Sequence, residues 1–192
     1  GFLTPLEMKK MFEISALIKV MQDYEDNNLY VALYGGNRKK KHELRARSLH
    51  WAGKLGFPTL TGILVGMGET MSHRKTALEY IASIHREYGT IQEVLLQNLV
   101  ITPGSPFKGC SSPSKDVMLK TFEVARNILP EDVTINVPFE HNPNIEDFIR
   151  AGLRDLGRIF NSPSVEETEQ INNRLKALSE TFDFEIQQRF PL

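Results

Sequence analysis

The stretch Thr59-Leu60-Thr61-Gly62-Ile63-Leu64-Val65-Gly66-Met67-Gly68-Glu69-Thr70 carries the signal for the fold class. From Thr59 to Val65 nearly every residue is apolar or β-branched, without polar alternation, which predicts a strand buried on both faces. Glycines then interrupt the run. Beyond Thr70, the residues Ala77, Leu78, Ile81, Ile84, His85 and Tyr88 space out as one helical stripe that Gly89 closes. A continuous apolar strand followed by an amphipathic helix is the repeating unit of a parallel sheet covered by helices.

The same unit recurs outward along the chain. Val94 to Ile101 is a second apolar run, broken only by Gln97-Asn98, and a loop rich in glycine and proline follows it. Ser114 caps a helix whose inner face is Val117, Met118, Thr121, Phe122, Ala125 and Leu129. Val133 to Val137 reads as a third strand, Asn144 to Ala151 as a helix ended by Gly152, and Leu153 to Phe160 as a last short strand. Ser164 and Glu167 form a capping box before Ile171, Leu175 and Leu178. Upstream, Glu43 to Leu55 is helical up to Gly56, and Ile18 to Met21 is a short strand. Thr4-Pro5-Leu6-Glu7 opens the first helix with a capping box and proline in the first turn. Asp23 to Lys41 is polar, with Gly35-Gly36-Asn37 as a turn and Arg38 to Lys41 as a solvated basic loop. The expectation is an α/β domain of about five strands spanning residues 1–192.

Composition narrows the function classes. The 192 residues are 41% hydrophobic and 24% charged, which is globular usage. The 23 basic residues nearly balance 24 acidic ones, so charge makes no case for nucleic acid or an anionic membrane. No apolar run approaches the roughly 18 residues of a membrane span, and the N-terminus does not read as a signal peptide, so a cytoplasmic protein is expected. A single cysteine, Cys110, excludes a disulfide framework, a multi-thiolate zinc site and an iron–sulfur cluster held by three or four thiolates. The five histidines show no metal-ligand spacing, and no nucleophile elbow is present.

In parallel sheets ligands bind at the carboxyl ends of the strands, so those ends hold the candidates. Gly66-x-Gly68 could begin a dinucleotide loop, but Met71 occupies the third glycine position and Glu69 puts negative charge where a phosphate would meet the helix. Tight strand-to-helix turning is the other reading of these glycines. Gln97 and Asn98 face opposite sides of their strand, so at most one points to a ligand; a local bulge with self-satisfied amides is the alternative. Asn136-Val137-Pro138 and Asp155-Leu156-Gly157 mark two further strand ends. Arg45 either pairs with a carboxylate or lies on a helix surface.

Gly62-x-Leu64-x-Gly66-x-x-Glu69 resembles the GxIxGxxE element of radical S-adenosylmethionine enzymes. The string Tyr88-Gly89-Thr90-Ile91-Gln92-Glu93-Val94-Leu95-Leu96-Gln97-Asn98, then Pro103-Gly104-Ser105-Pro106, is similar to the deazaflavin-forming branch of that superfamily. Leu129-Pro130-Glu131-Asp132-Val133 matches a further segment, and Asp155-Leu156-Gly157-Arg158 matches part of its Asp-Trp-Gly-Gly end. The resemblance extends over most of the chain.

The resemblance implies a radical S-adenosylmethionine type (βα) barrel, here about its last five strands, and a lyase or synthase that forms a deazaflavin from a hydroxybenzyl adduct of a ribityl-diaminouracil. It implies S-adenosylmethionine and a [4Fe–4S] cluster as cofactors of the whole family. It places Gly62, Leu64, Gly66 and Glu69 on the adenosyl side, with Gln97, Asn98 and Asp155 toward a polar small-molecule substrate. The family's CxxxCxxC loop has no counterpart, so no metal ligand is expected in this chain, and the cluster is not bindable by it alone. Met21-Gln22-Asp23, Phe139-Glu140-His141 and Arg158 also depart from the family pattern, and the chain stops at Phe190-Pro191-Leu192 within the family's closing segment. A missing N-terminal cluster-binding portion is the expectation, with self-association or pairing with that portion as the partner. A related radical enzyme of menaquinone or biotin biosynthesis, or a non-catalytic half-barrel, remains open.

Overall fold

The computed structural model describes residues 3–24, 26–35, 37, 41–102, 107, 109–157, 159 and 164–187. The Pro103–Pro106 motif, Arg38 to Lys40, Arg158 and the closing Phe190-Pro191-Leu192 lie outside the described residues. The chain divides into two compact units, residues 1–157 and 158–192.

The first unit opens with α1 (Pro5–Phe12), whose Thr4 hydroxyl accepts from the Glu7 amide while the Glu7 carboxylate accepts from the Thr4 amide. Then come β1 (Ile18–Lys19), α2 (Asn27–Tyr34), α3 (His42–Lys54), β2 (Thr59–Val65), α4 (Met71–Tyr88) and β3 (Ile91–Asn98). α5 (Lys115–Ile128), β4 (Thr134–Asn136), a 3₁₀ turn at Phe139–His141 and α6 (Ile145–Arg150) complete it. α4 starts where Thr70 caps it and stops at Gly89 in the left-handed region, at φ +67°. The second unit holds α7 (Val165–Phe182), capped by the Ser164 hydroxyl.

All strands are parallel, in the order β1-β2-β3-β4. At the fifth position, expected from Leu153 to Phe160, the described residues form a single bridge, between Asn136 and Asp155. Left-handed turns at Gly152 and Gly157 bracket that bridge, and Arg158 and Phe160 of the expected strand lie outside the described residues. Register sets Gly62 beside Leu95, Leu64 beside Gln97, and Leu95 beside Asn136.

One sheet face is fully covered. Thr59, Thr61, Ile63 and Val65 of β2 and Val94, Leu96 and Asn98 of β3 are buried against the helices. The opposite face, with Leu60, Leu64, Glu93, Leu95, Gln97 and Thr134, is only half-buried. The apolar run of β2 had predicted burial on both faces. With alternating β2 residues left half-buried, the run marks a strand whose second face is open. Met8, Ile18, Val20, Ala52 and Phe57 form a separate cluster that pins α1 and α3 to the start of the sheet.

α2 lies within the stretch read as polar loop. The Asp26 carboxylate accepts from the Leu29 amide at its start, and Gly35 ends it in the left-handed region.

Candidate functional site

At the end of β2 the backbone is held closely from three sides. A Cβ on Gly62 would stand 2.2 Å from the Leu95 carbonyl oxygen. The Gly62 carbonyl accepts from both the Gln22 and Asp23 amides, at 3.0 and 3.3 Å, so the chain leaving β1 hangs from this point. Gly66 follows at φ +109°, and a Cβ there would meet Pro113 Cδ at 2.9 Å. Both positions therefore require glycine.

Glu69 turns back into this loop rather than out of it. Its carboxylate accepts from the Gly66 amide at 3.0 Å, the Met67 amide at 2.7 Å and Arg74 Nε at 2.8 Å, and its side chain is 0% exposed. Arg74 Nη2 lies 2.8 Å from the same carboxylate, while Nη1 donates to the Thr121 hydroxyl of α5 at 3.1 Å. Backbone and guanidinium donors thus fill the carboxylate, and the Gly66–Thr70 turn is locked by charge-assisted hydrogen bonds. Glu69 stands beside the strand end as the residue that shapes the turn.

The end of β1 carries a buried polar group that the sequence reading did not assign to the site. Gln22, Asp23 and Tyr24 lie just beyond β1, after Val20 and Met21, and all three are buried. Asp23 has φ +53°, which is uncommon for a residue with a Cβ, and its carboxylate pairs with Arg45 of α3. Arg45 thus takes the carboxylate-pairing role of its two readings, and burial lowers its pKa. Gln22 Oε1 and Asp23 Oδ1 are buried without a hydrogen-bond donor among the described residues. The Tyr24 hydroxyl donates to the Leu64 carbonyl at 2.8 Å; burial, then the nearby negative Glu69, raises its pKa well above 10.0. The available signal was an amide and a carboxylate immediately after a strand. Their importance depends on Arg45, which is distant in sequence.

β3 separates its two amides. Gln97 stands on the half-open face beside Leu64, and Asn98 on the helix-covered face. Asn98 Nδ2 donates to Asn142 Oδ1 at 2.9 Å, and Asn142 Nδ2 donates to Asn98 Oδ1 at 2.8 Å. Asn142 Nδ2 also donates to the Pro138 carbonyl at 2.7 Å, tying the turn after β4 to β3. Asn142→Ala would leave Asn98 Oδ1 buried without its donor, and Asn98 Nδ2 with only the His141 carbonyl at 3.4 Å, at a cost of about 1–3 kcal/mol. The thermal midpoint is expected to fall by roughly 2–12 °C. An unchanged midpoint would show that the amide pair does not hold the turn. At the fifth position, Asp155 Oδ1 accepts from the Gly157 amide at 2.7 Å. The structure therefore brings Gly62, Leu64, Gln97 and Asp155 to one face and end of the sheet, whereas Asn98 and Glu69 are committed to internal partners.

The two cofactors implied by the resemblance fare differently against these residues. S-adenosylmethionine presents ammonium and hydroxyl donors, and Gln22 Oε1 and Asp23 Oδ1 are orphaned acceptors at the same strand ends. Gly68, at φ +97°, has only Leu29 Cδ2 within 4 Å of a Cβ position, at 3.7 Å, so the turn leaves space beside its backbone. These residues fit that ligand. An iron–sulfur cluster does not fit this chain: Cys110 is its one cysteine, and its thiol lies 3.5 Å from the Met67 carbonyl. Among the described residues no three histidine, cysteine or acidic side chains gather as metal ligands. Also among them, no helix is long and apolar enough to cross a membrane.

The class defined is a parallel α/β sheet with polar groups and glycine turns at its carboxyl edge. No family model matches the chain. Among curated proteins it is similar to 7,8-didemethyl-8-hydroxy-5-deazariboflavin synthases. That of Methanococcoides burtonii is 46% identical over 62% of this chain and 36% of the relative. That of Archaeoglobus fulgidus is 37% identical over 84% of this chain and 49% of the relative. The Synechocystis synthase is 33% identical over 100% of this chain and 63% of its own length. The resemblance read from the motifs is borne out, and the chain spans about half the length of the curated relatives it matches.

Proposed function

We propose that this chain supplies the S-adenosylmethionine-facing and substrate-facing part of a radical S-adenosylmethionine synthase that forms 7,8-didemethyl-8-hydroxy-5-deazariboflavin. The single observation that carries the reading is the Gly66–Thr70 turn, closed by Glu69 and Arg74 beside the orphaned acceptors of Gln22 and Asp23. Similarity to synthases of that name over up to the whole chain supports it.

S-adenosylmethionine, when bound, supplies the adenosyl group from which a radical is generated. The chain's own residues bind and orient. Glu69 and Arg74 hold the turn rigid, so the backbone from Leu64 to Gly68 meets a ligand in one conformation and little ordering is left to binding. Gln22 and Asp23 offer acceptors to ammonium or hydroxyl donors, and Arg45 keeps the Asp23 carboxylate in place. Gln97 and Asp155 face the polar substrate on the half-open side of the sheet. No step is assigned to a cluster, whose thiolates this chain does not supply.

The test is calorimetric titration of S-adenosylmethionine into the 192-residue chain. Saturable binding that Asp23→Asn weakens about tenfold is expected, the factor that one hydrogen bond to a charged group contributes. Absence of binding to a chain that melts cooperatively would count against the reading.

A further inference from the structure

We propose that Glu93 and Asn136, to which no role has been given above, form with Asp155 a row of acceptors that grips the polyhydroxylated chain of a deazaflavin-type ligand. The proposal rests on the synthase reading and deepens it.

Asn136 is 2% exposed, and its Nδ2 donates to the Glu93 carboxylate. A carboxylate only accepts, so this contact fixes which way the amide points. Nδ2 faces Glu93 and Oδ1 is turned away. Oδ1 is buried and has no donor among the described residues. Such an acceptor costs stability unless a donor reaches it.

The neighbouring position shows where a donor would enter. Asn136 bridges to Asp155, whose Oδ1 takes the Gly157 amide at 2.7 Å and turns the chain at φ +71°. A Cβ on Gly157 would lie 3.3 Å from Asn136 Oδ1, a tight contact, so glycine keeps this side of the orphaned oxygen clear of a side chain. Leu95, in register with Asn136 and beside Gly62, adds apolar surface on the same face.

The chemistry of the row selects its ligand. Two carboxylates and an amide oxygen repel an anion and leave an apolar group unpaired. A run of hydroxyls donates to all three. The synthases similar to this chain are named for a deazariboflavin, a flat ring bearing such a polyol chain. The row therefore takes the polyol, and the leucine surface takes the ring.

Glu93→Gln tests this with little change in shape. The new amide can donate to Asn136 Oδ1, which lets the Asn136 amide turn over and removes the orphaned acceptor. Fluorescence titration of the chain with 7,8-didemethyl-8-hydroxy-5-deazariboflavin, and with its analogue carrying a methyl group in place of the polyol, reads the effect. Glu93→Gln is expected to weaken the polyol-bearing ligand about tenfold, one hydrogen bond's contribution, and to leave the methyl analogue unchanged. Asn136→Ala is expected to act in the same direction. Equal weakening of both ligands, or no weakening of either, overturns the acceptor row while leaving the synthase reading intact. Failure of the unsubstituted chain to bind either ligand removes both.

Discussion

Arg74→Met is expected to destabilise the chain by about 3–5 kcal/mol, because it strands the Glu69 carboxylate, 0% exposed, without its cation. The loss would appear in urea unfolding as a lower midpoint at unchanged slope. Two backbone amides would remain as donors to Glu69, which sets the cost below that of a wholly bare charge. The paired substitution Glu69→Gln with Arg74→Met is expected to recover much of the loss, since both ionic groups are then gone together. A loss below about 1 kcal/mol for Arg74→Met alone is the range of an exposed ion pair, and it would mean that the turn is not held as described.

The second large effect is expected at Gly62. Gly62→Ala places a methyl group 2.2 Å from the Leu95 carbonyl oxygen and 2.9 Å from its carbon, both backbone atoms in the adjoining strand. Neither can swing aside, so β2 and β3 must separate or shift register. The displacement reaches the segment after β1 as well, because the Gln22 and Asp23 amides both bond to the Gly62 carbonyl. Overpacking of this kind costs about 1–3 kcal/mol and occasionally more, and the upper end is expected here. A fall of roughly 6–12 °C in the thermal midpoint would match it. Gly35→Ala is the control: nothing lies within 4 Å of its Cβ position, and only the strain of φ +56° opposes it. A Gly62→Ala variant as stable as this control would remove the close strand contact from the account.

The sheet was readable because its strands are continuous apolar runs and its helices announce their ends. Thr70 and Gly89 bound α4 where the stripe of Ala77, Leu78 and Ile81 required. α2 escaped because it is only 8 residues long and its apolar residues, 29–34, form one unbroken run between polar segments, without the spacing that marks a helix face. Of the short strand expected from Leu153 to Phe160, the described residues show one bridge, Asn136 to Asp155, followed by the left-handed turn at Gly157.

The site was legible only in part, for a related reason. Alternation showed that Gln97 and Asn98 must part company, but only register with β2 and β4 decides which faces the open side. Glu69 was visible as a carboxylate at a helix start. Its enclosure depends on Arg74, one turn into α4, whose guanidinium folds back across the turn. Asp23 and Arg45 meet through tertiary structure that no local spacing encodes.

Hydrogen exchange followed by mass spectrometry, with and without saturating S-adenosylmethionine, tests the central claim most directly. The account predicts slower exchange in peptides covering residues 20–24 and 62–70 and unchanged exchange across Val165–Phe182. Exchange at residues 62–70 that is the same with and without the ligand would contradict it.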